Sequence, residues 1–200
     1  MSPVFDPDRG TILTVLWLLR QNSSRLRVTR KAKRAPEGVH DAVKGYAPYF
    51  RVFHTLAEAA KCGDSWTYMD LFYHRETDQN EVNGLLSSEI GVNFMCDQLI
   101  LSQGVLEYAK PKLIVVCNAR AADFFGVNRT EQGNNTWMGY DFVFDESCGL
   151  HRIRGLHPER INKEMTHTQL ENVAVCFTST LKYMDKFSKD RLAWQLRFAL

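Results

Sequence analysis

The chain has 200 residues, 44% of them hydrophobic and 24% charged, with a formal net charge of +2. That is the size and make-up of one globular domain with a full core, and it excludes a low-complexity chain. The longest apolar runs are too short to span a bilayer and no signal peptide with a small-residue cleavage site opens the chain, so a soluble cytoplasmic protein is expected, with no membrane partner.

In chain order, residues 11–20 (Thr-Ile-Leu-Thr-Val-Leu-Trp-Leu-Leu-Arg) are apolar and predict a helix starting near Pro7 and Asp8. Arg20, Arg25, Arg27, Arg30, Lys31, Lys33 and Arg34 follow with no acid among them, either a phosphate-binding patch or a solvated arm. Residues 1–44 thus read as a basic, partly irregular N-terminal segment, with residues 39–43 a short strand or more loop. Phe50, Phe53, Leu56, Ala57 and Ala60 recur at helical spacing, and Gly63 suits the stop. Trp66 to Phe72 has the aromatic content of a strand ending near Asp70, and a polar loop with His74 follows.

Ser88 is placed to cap a long helix to about Lys110, with Val92, Met95, Cys96, Leu99, Val105, Leu106 and Ala109 as its buried stripe. Leu113 to Cys117 is a short, β-branched, unbroken apolar run, the pattern of a strand buried on both faces. Asn118 follows it, then an Ala-rich helix with Phe124 and Phe125 that Gly126 can end. Residues 127–170 read as an excursion from the main fold, with antiparallel strands near 136–145 and 150–156 and an exposed loop at 157–169. Val173 to Phe177 is a third buried strand, Thr178 to Asp185 a polar turn, and a last helix spans about 189–200. Ser188 would be its N-cap, stapled by Phe187 and Leu192.

Buried strands alternating with helices predict a single α/β domain, three layers α/β/α around a short, mainly parallel central sheet. The carboxyl ends of three parallel strands would gather Asp70, Asn118 and Thr178 to Leu181 along one rim, where ligands sit in such folds.

The chemistry is narrowed by absences. There is no Walker loop, no Gly-x-Gly-x-x-Gly, no Gly-x-Ser-x-Gly and no His-Glu-x-x-His. The five cysteines form no Cys-x-x-Cys pair and no histidines stand at ligand spacing, so neither metal nor cofactor is expected. Cys117 and Cys176 fall in expected strands and read as small hydrophobes. Asp70 is either a general base or a structural acceptor. Asn118 either reads a base or fixes the turn into its helix. Thr178, Ser179 and Thr180, with Lys182, suit phosphate contacts or else local turn bonding.

These segments resemble the uracil-DNA glycosylase superfamily. Gly45-Tyr-Ala-Pro48-Tyr49-Phe50 resembles the family's Gly-x-Asp-Pro-Tyr-His loop, and Trp66 to Phe72 its base-reading strand. Lys110-Pro111 followed by Leu113 to Ala122 resembles its "Lys-Pro, apolar strand, small-residue turn" segment. Cys176 to Tyr183 resembles the His-Pro-Ser-Pro-Leu loop that inserts into DNA. The resemblance implies an α/β/α fold and DNA as partner. It implies a base pocket walled by Gly45, Pro48, Tyr49, Phe50 and Asn118, and DNA contacts from Thr178, Ser179, Thr180, Lys182 and Tyr183.

The departures are as informative. Ala47 stands where the family has its water-positioning Asp, Phe50 where it has His, Asp70 where it has the strand Asn, and Phe177 or Thr178 where it has the last His. Asp70 is then the remaining carboxylate able to activate water, and the only catalytic candidate. Two functions stay open: nucleic-acid or nucleobase binding with N-glycosidic bond hydrolysis, or a non-catalytic binding domain on the same fold.

Overall fold

The structure, a computed structural model, describes residues 13–17, 48–62, 65–73, 83–126 and 137–200, the first five and 48–50 as backbone. The basic block 20–34, residues 39–43, Gly45, Ala47, Gly63 and His74 lie outside the described residues.

The first apolar run is a strand and not the helix expected for 11–20. β1, Leu13–Trp17, lies between β2, Trp66–Asp70, and β3, Leu113–Cys117, parallel to both. A short apolar run does not by itself distinguish a buried strand from a helix segment. Here two flanking partners satisfy its backbone on both edges, which a five-residue helix could not do alone.

Six strands form one sheet in the order β2-β1-β3-β6-β5-β4, where β4 is Tyr140–Asp145, β5 Leu150–Leu156 and β6 Ala174–Thr178. The first four run parallel, and β5 and β4 continue the sheet antiparallel. Residues 137–170 are therefore no excursion, and 127–136 lie outside the described residues. Their hairpin, β4 and β5, completes the sheet because Tyr140 and Ile153 bury in the same apolar layer as Ile114 and Val116.

Alternation along β3 divides the core. Leu113, Val115 and Cys117 face a layer with Phe53, Leu56 and Ala57 of α1 (Pro48–Ala59) and Leu192, Ala193 and Leu196 of α4 (Lys186–Ala199). Ile114 and Val116 face Met95, Leu99 and Leu106 of α2 (Glu89–Ala109) and Ala121, Ala122, Phe124 and Phe125 of α3 (Ala119–Phe125). The result is three layers, α/β/α, with period-two alternation sending neighbouring residues to opposite cores.

Helix ends are decided locally. Ser88 caps α2 as expected, its Oγ accepting from the Gly91 N–H at 3.1 Å. Gly91 is required there, since a methyl group would collide with the Leu85 carbonyl oxygen. α1 stops at Ala59, and Lys61 takes the left-handed conformation (φ 63°) while the Cys62 N–H closes back on the Ala57 carbonyl at 2.9 Å. α4 starts earlier than expected. Asp185, not Ser188, is its N-cap and accepts from the Ser188 N–H at 2.9 Å and its hydroxyl at 2.8 Å. The staple does not form, for Phe187 is 83% exposed.

The buried stripe of α2 also differs. Ser102 and Gln103 are buried, whereas Val105 is exposed. Ser102 is covered by the turn after β2, to whose Leu71 carbonyl it donates, and Gln103 by the 157–170 segment, which packs on this helix instead of forming a free loop. Glu107 accepts from the Tyr140 hydroxyl (2.9 Å) and the Thr168 hydroxyl (2.6 Å) at one oxygen, and from the Gln169 N–H (2.6 Å) at the other. Gln103 donates to the Met138 carbonyl at 2.7 Å and accepts from Asn162 at 2.9 Å. Polar groups of α2 thus hold an irregular segment whose own backbone lacks ladder partners.

Candidate functional site

Strand register builds the site. Asp70 pairs with Trp17, Trp17 with Cys117, and Cys117 with Thr178, so four strand ends stand in one row at the carboxyl edge. In the order β2-β1-β3 the chain steps to one side of β1 and then crosses to the other. The crevice beyond the carboxyl ends at such a reversal is where open α/β sheets take their ligands. Here that reversal lies between Trp17 and Cys117, and the residue that emerges from it is Asn118.

Asn118 is 5% exposed and has φ 114° and ψ 159°. Only glycine enters that region freely, and other residues held there cost about 1–3 kcal/mol. Its surroundings over-determine it. Its N–H donates to the Thr178 carbonyl at 2.9 Å, tying two strand ends together, and its Oδ1 accepts from the Ala121 N–H at 2.8 Å, capping α3. Of the two readings open in the sequence, fixing the turn is thus realised by Oδ1. The other end of the amide, Nδ2, donates no hydrogen bond among the described residues.

Asp70, half-buried, ends β2 two strand intervals from β3, a separation of about 10 Å at the usual inter-strand spacing. Beside it the chain turns outward against α2. The Tyr73 N–H donates to the Gln98 side chain at 3.0 Å, and the Ser102 hydroxyl donates to the Leu71 carbonyl at 2.7 Å. Partial burial pushes the Tyr73 phenol up from its ordinary value; the Ser102 hydroxyl opposes this, and the charge of Asp70 adds to the rise. The Tyr73 phenol therefore stays protonated near neutral pH, a donor within the field of Asp70.

Of the other expected residues, Pro48, Tyr49 and Phe50 form the first turn of α1. That turn is at the rim end, because the helix finishes with Ala60 and Lys61 beside Lys112, at the opposite edge of the sheet. Gly45 lies outside the described residues. Thr178 is the last residue of β6, and its hydroxyl is within hydrogen-bond reach of the Met184 sulfur at 3.4 Å. Ser179 and Thr180 make the turn, while Lys182 and Tyr183 sit exposed in a 3₁₀ turn with the ammonium 5.5 Å from the ring centre. Asp70, Asn118 and Thr178 therefore share one rim. Asp70 and Thr178 are three strand intervals apart, about 14 Å, too far for one small ligand to touch both.

The thiols do not contribute. Burial, with Cys176 adjacent, holds the Cys117 thiol well above its ordinary value, and Cys176 itself is pushed up to about 12 by burial. Both stay protonated and unreactive at neutral pH, as the structural reading expected. Among the described residues no group of three or more His, Cys, Asp and Glu side chains could hold a metal ion. No described helix is long and apolar enough to cross a membrane.

Sequence reasoning missed β1 and with it the reversal, and it missed the corner of Tyr73, Gln98 and Ser102. The available signal for the corner was a serine and a glutamine interrupting the apolar stripe of α2. No family model matches this sequence, and no curated protein is significantly similar to it.

Proposed function

We propose that the protein binds nucleic acid or a nucleobase at this rim and hydrolyses an N-glycosidic bond there, as an altered relative of the uracil-DNA glycosylases. The observation that carries the reading is Asn118, strained at the point of strand reversal, with Nδ2 making no hydrogen bond among the described residues. Strain kept at a crevice is a reasonable mark of function. A three-layer frame with four parallel strands supports the same reading, since that is what the sequence resemblance implies.

The roles follow from the chemistry of base release. A water attacks the anomeric carbon and gives up a proton to the Asp70 carboxylate. The carbon–nitrogen bond breaks, and the base departs with the electron pair. Asn118 Nδ2 donates to the carbonyl oxygen on which that charge develops. The roughly 10 Å between the two strand ends leaves room for a sugar and base, flipped out of the stack. Pro48, Tyr49 and Phe50, on the first turn of α1, would wall the base.

One observation favours the non-catalytic alternative: Asn118 Oδ1 is consumed in capping α3, which halves what the amide can read. The test is release of uracil, hypoxanthine and other bases from modified oligonucleotides. Asp70→Asn should abolish release and leave the melting temperature within a degree or two. Undiminished release from that variant would remove Asp70 from the chemistry. No release from any substrate, with binding retained, would leave the non-catalytic domain.

A further inference from the structure

Helix α4 is apolar on two opposite faces. Leu192, Ala193 and Leu196 are buried against the sheet. Phe187, Trp194 and Phe198 project from the other side, 83%, 56% and 59% exposed. Phe187, Arg191, Trp194 and Phe198 stand at i, i+4, i+7 and i+11, one straight stripe about 16 Å long at the helical rise. Its Trp194 and Phe198 rings stack on each other, 5.7 Å between centres and 20° between planes.

The same stretch is cationic. Residues 182–197 carry five cations, Lys182, Lys186, Lys189, Arg191 and Arg197, against Asp185 and Asp190. Asp185 is committed to its N-cap bonds. The stripe begins beside the rim turn at Thr178–Thr180. The last turn of α4, through Arg197 and Leu200, lines a pocket of about 300 Å³ together with Ala60, Lys61 and Lys112. Among the described residues no carboxylate forms an ion pair with Lys61, Lys112, Arg191 or Arg197.

We propose that this stripe is a path for single-stranded nucleic acid, its bases stacking on Phe187 and on the Trp194–Phe198 pair and its phosphates meeting Arg191, Arg197, Lys61 and Lys112. The inference rests on the rim being a nucleic-acid site, and extends that site down the flank of the molecule. The position of Arg191 selects this partner. It sits between Phe187 and Trp194, at the middle of the aromatic row, with Asp190 on the other flank of the same gap and Lys186 and Lys189 outnumbering that acid. An apolar protein face would bury the guanidinium without a partner, which is costly; an anionic lipid surface could pair it, and the vesicle assay below separates that case. A strand of nucleic acid satisfies rings and guanidinium together, since base faces stack on aromatics while phosphates take the cation. A duplex would not serve, because its base faces are already covered by one another.

The test is fluorescence anisotropy of a labelled oligothymidylate and of a duplex of equal length across a salt series, with tryptophan fluorescence read in parallel. Tighter binding of the single strand is expected, with quenching that Trp194→Ala removes. Trp194→Ala and Phe198→Ala should each weaken binding about ten-fold. Arg191→Gln should lower the salt slope by about 0.7. Melting curves of all three variants must match the parent, and Arg191→Gln keeps the test valid if a ring variant is poorly folded. Oligonucleotide binding unchanged in all three variants, yet lost in Lys182→Glu, would overturn the path and leave the rim reading intact. Binding lost in the α4 variants from a protein that takes up no free nucleobase would keep the path and remove the rim reading. The path is also overturned if the same variants instead abolish self-association in sedimentation, or pelleting with phosphatidylserine vesicles, while the parent binds no oligonucleotide.

Discussion

The two halves of the sheet are held by different physics. In the parallel half, β3 is fully buried from Leu113 to Cys117 and every side chain on it is apolar. In the antiparallel half, Tyr140, Leu150, Ile153 and Leu170 are buried too, but the hairpin and the 157–170 segment depend in addition on polar side chains reaching from α2 and on the Asp145–Arg152 pair. Apolar burial is non-directional and tolerant, whereas a buried hydrogen bond fails when one partner is lost. The parallel half should therefore set global stability, and the antiparallel half should open locally.

The largest effect tests the first half. Ile114→Ala should cost about 3 kcal/mol in urea-induced unfolding, with all amides losing protection together. A loss confined to the hairpin would break the comparison. Next, Glu107→Ala leaves the buried Tyr140 hydroxyl and two donors of the 157–170 segment without their acceptor. It should cost about 2 kcal/mol and make that segment protease-sensitive while β3 amides stay protected. A third test uses His151, half-buried among Phe142, Phe144 and Phe177. Burial lowers its pKa below the ordinary 6.5, so the unfolded chain binds the proton first. Stability should hold above pH 6.5 and fall as pH drops through and below it, and His151→Phe should flatten that fall. The smallest effect is Asp145→Asn. Hydrogen bonds from Ser147 and then Arg152 hold the Asp145 carboxyl well below its ordinary 3.8. The stability it adds is present above that value and is lost at lower pH. Because the pair is solvent-screened, the substitution should speed hairpin amide exchange near pH 7 without a measurable shift in melting.

The strands β2, β3 and β6, the Ser88 cap, the Gly126 stop and the hairpin were legible because each rests on local chemistry: a short β-branched run, a hydroxyl, a glycine. The rim was legible in part, since Asp70, Asn118 and Thr178 each stand at the end of such a run. Their separation was not. It depends on β1 lying between β2 and β3, and Thr14-Val-Leu-Trp17 has the same apolar character in a helix as in a strand. The polar partners of Glu107 lie 33 to 62 residues away in the chain, beyond any local pattern. The exposure of the ring stripe on α4 was hidden for a related reason. Apolar residues on two faces of a helix look alike until one face has met its neighbour.

The sequence by itself determined the α/β class, most elements, and which residues end the buried strands, because turn residues and apolar runs act over a few residues. Tertiary structure decided that the first apolar run is a strand, that the hairpin belongs to the sheet, and that the chain reverses its order beside Asn118. Those outcomes depend on which surfaces remain to be covered once the other elements are in place, and local propensity carries no record of that.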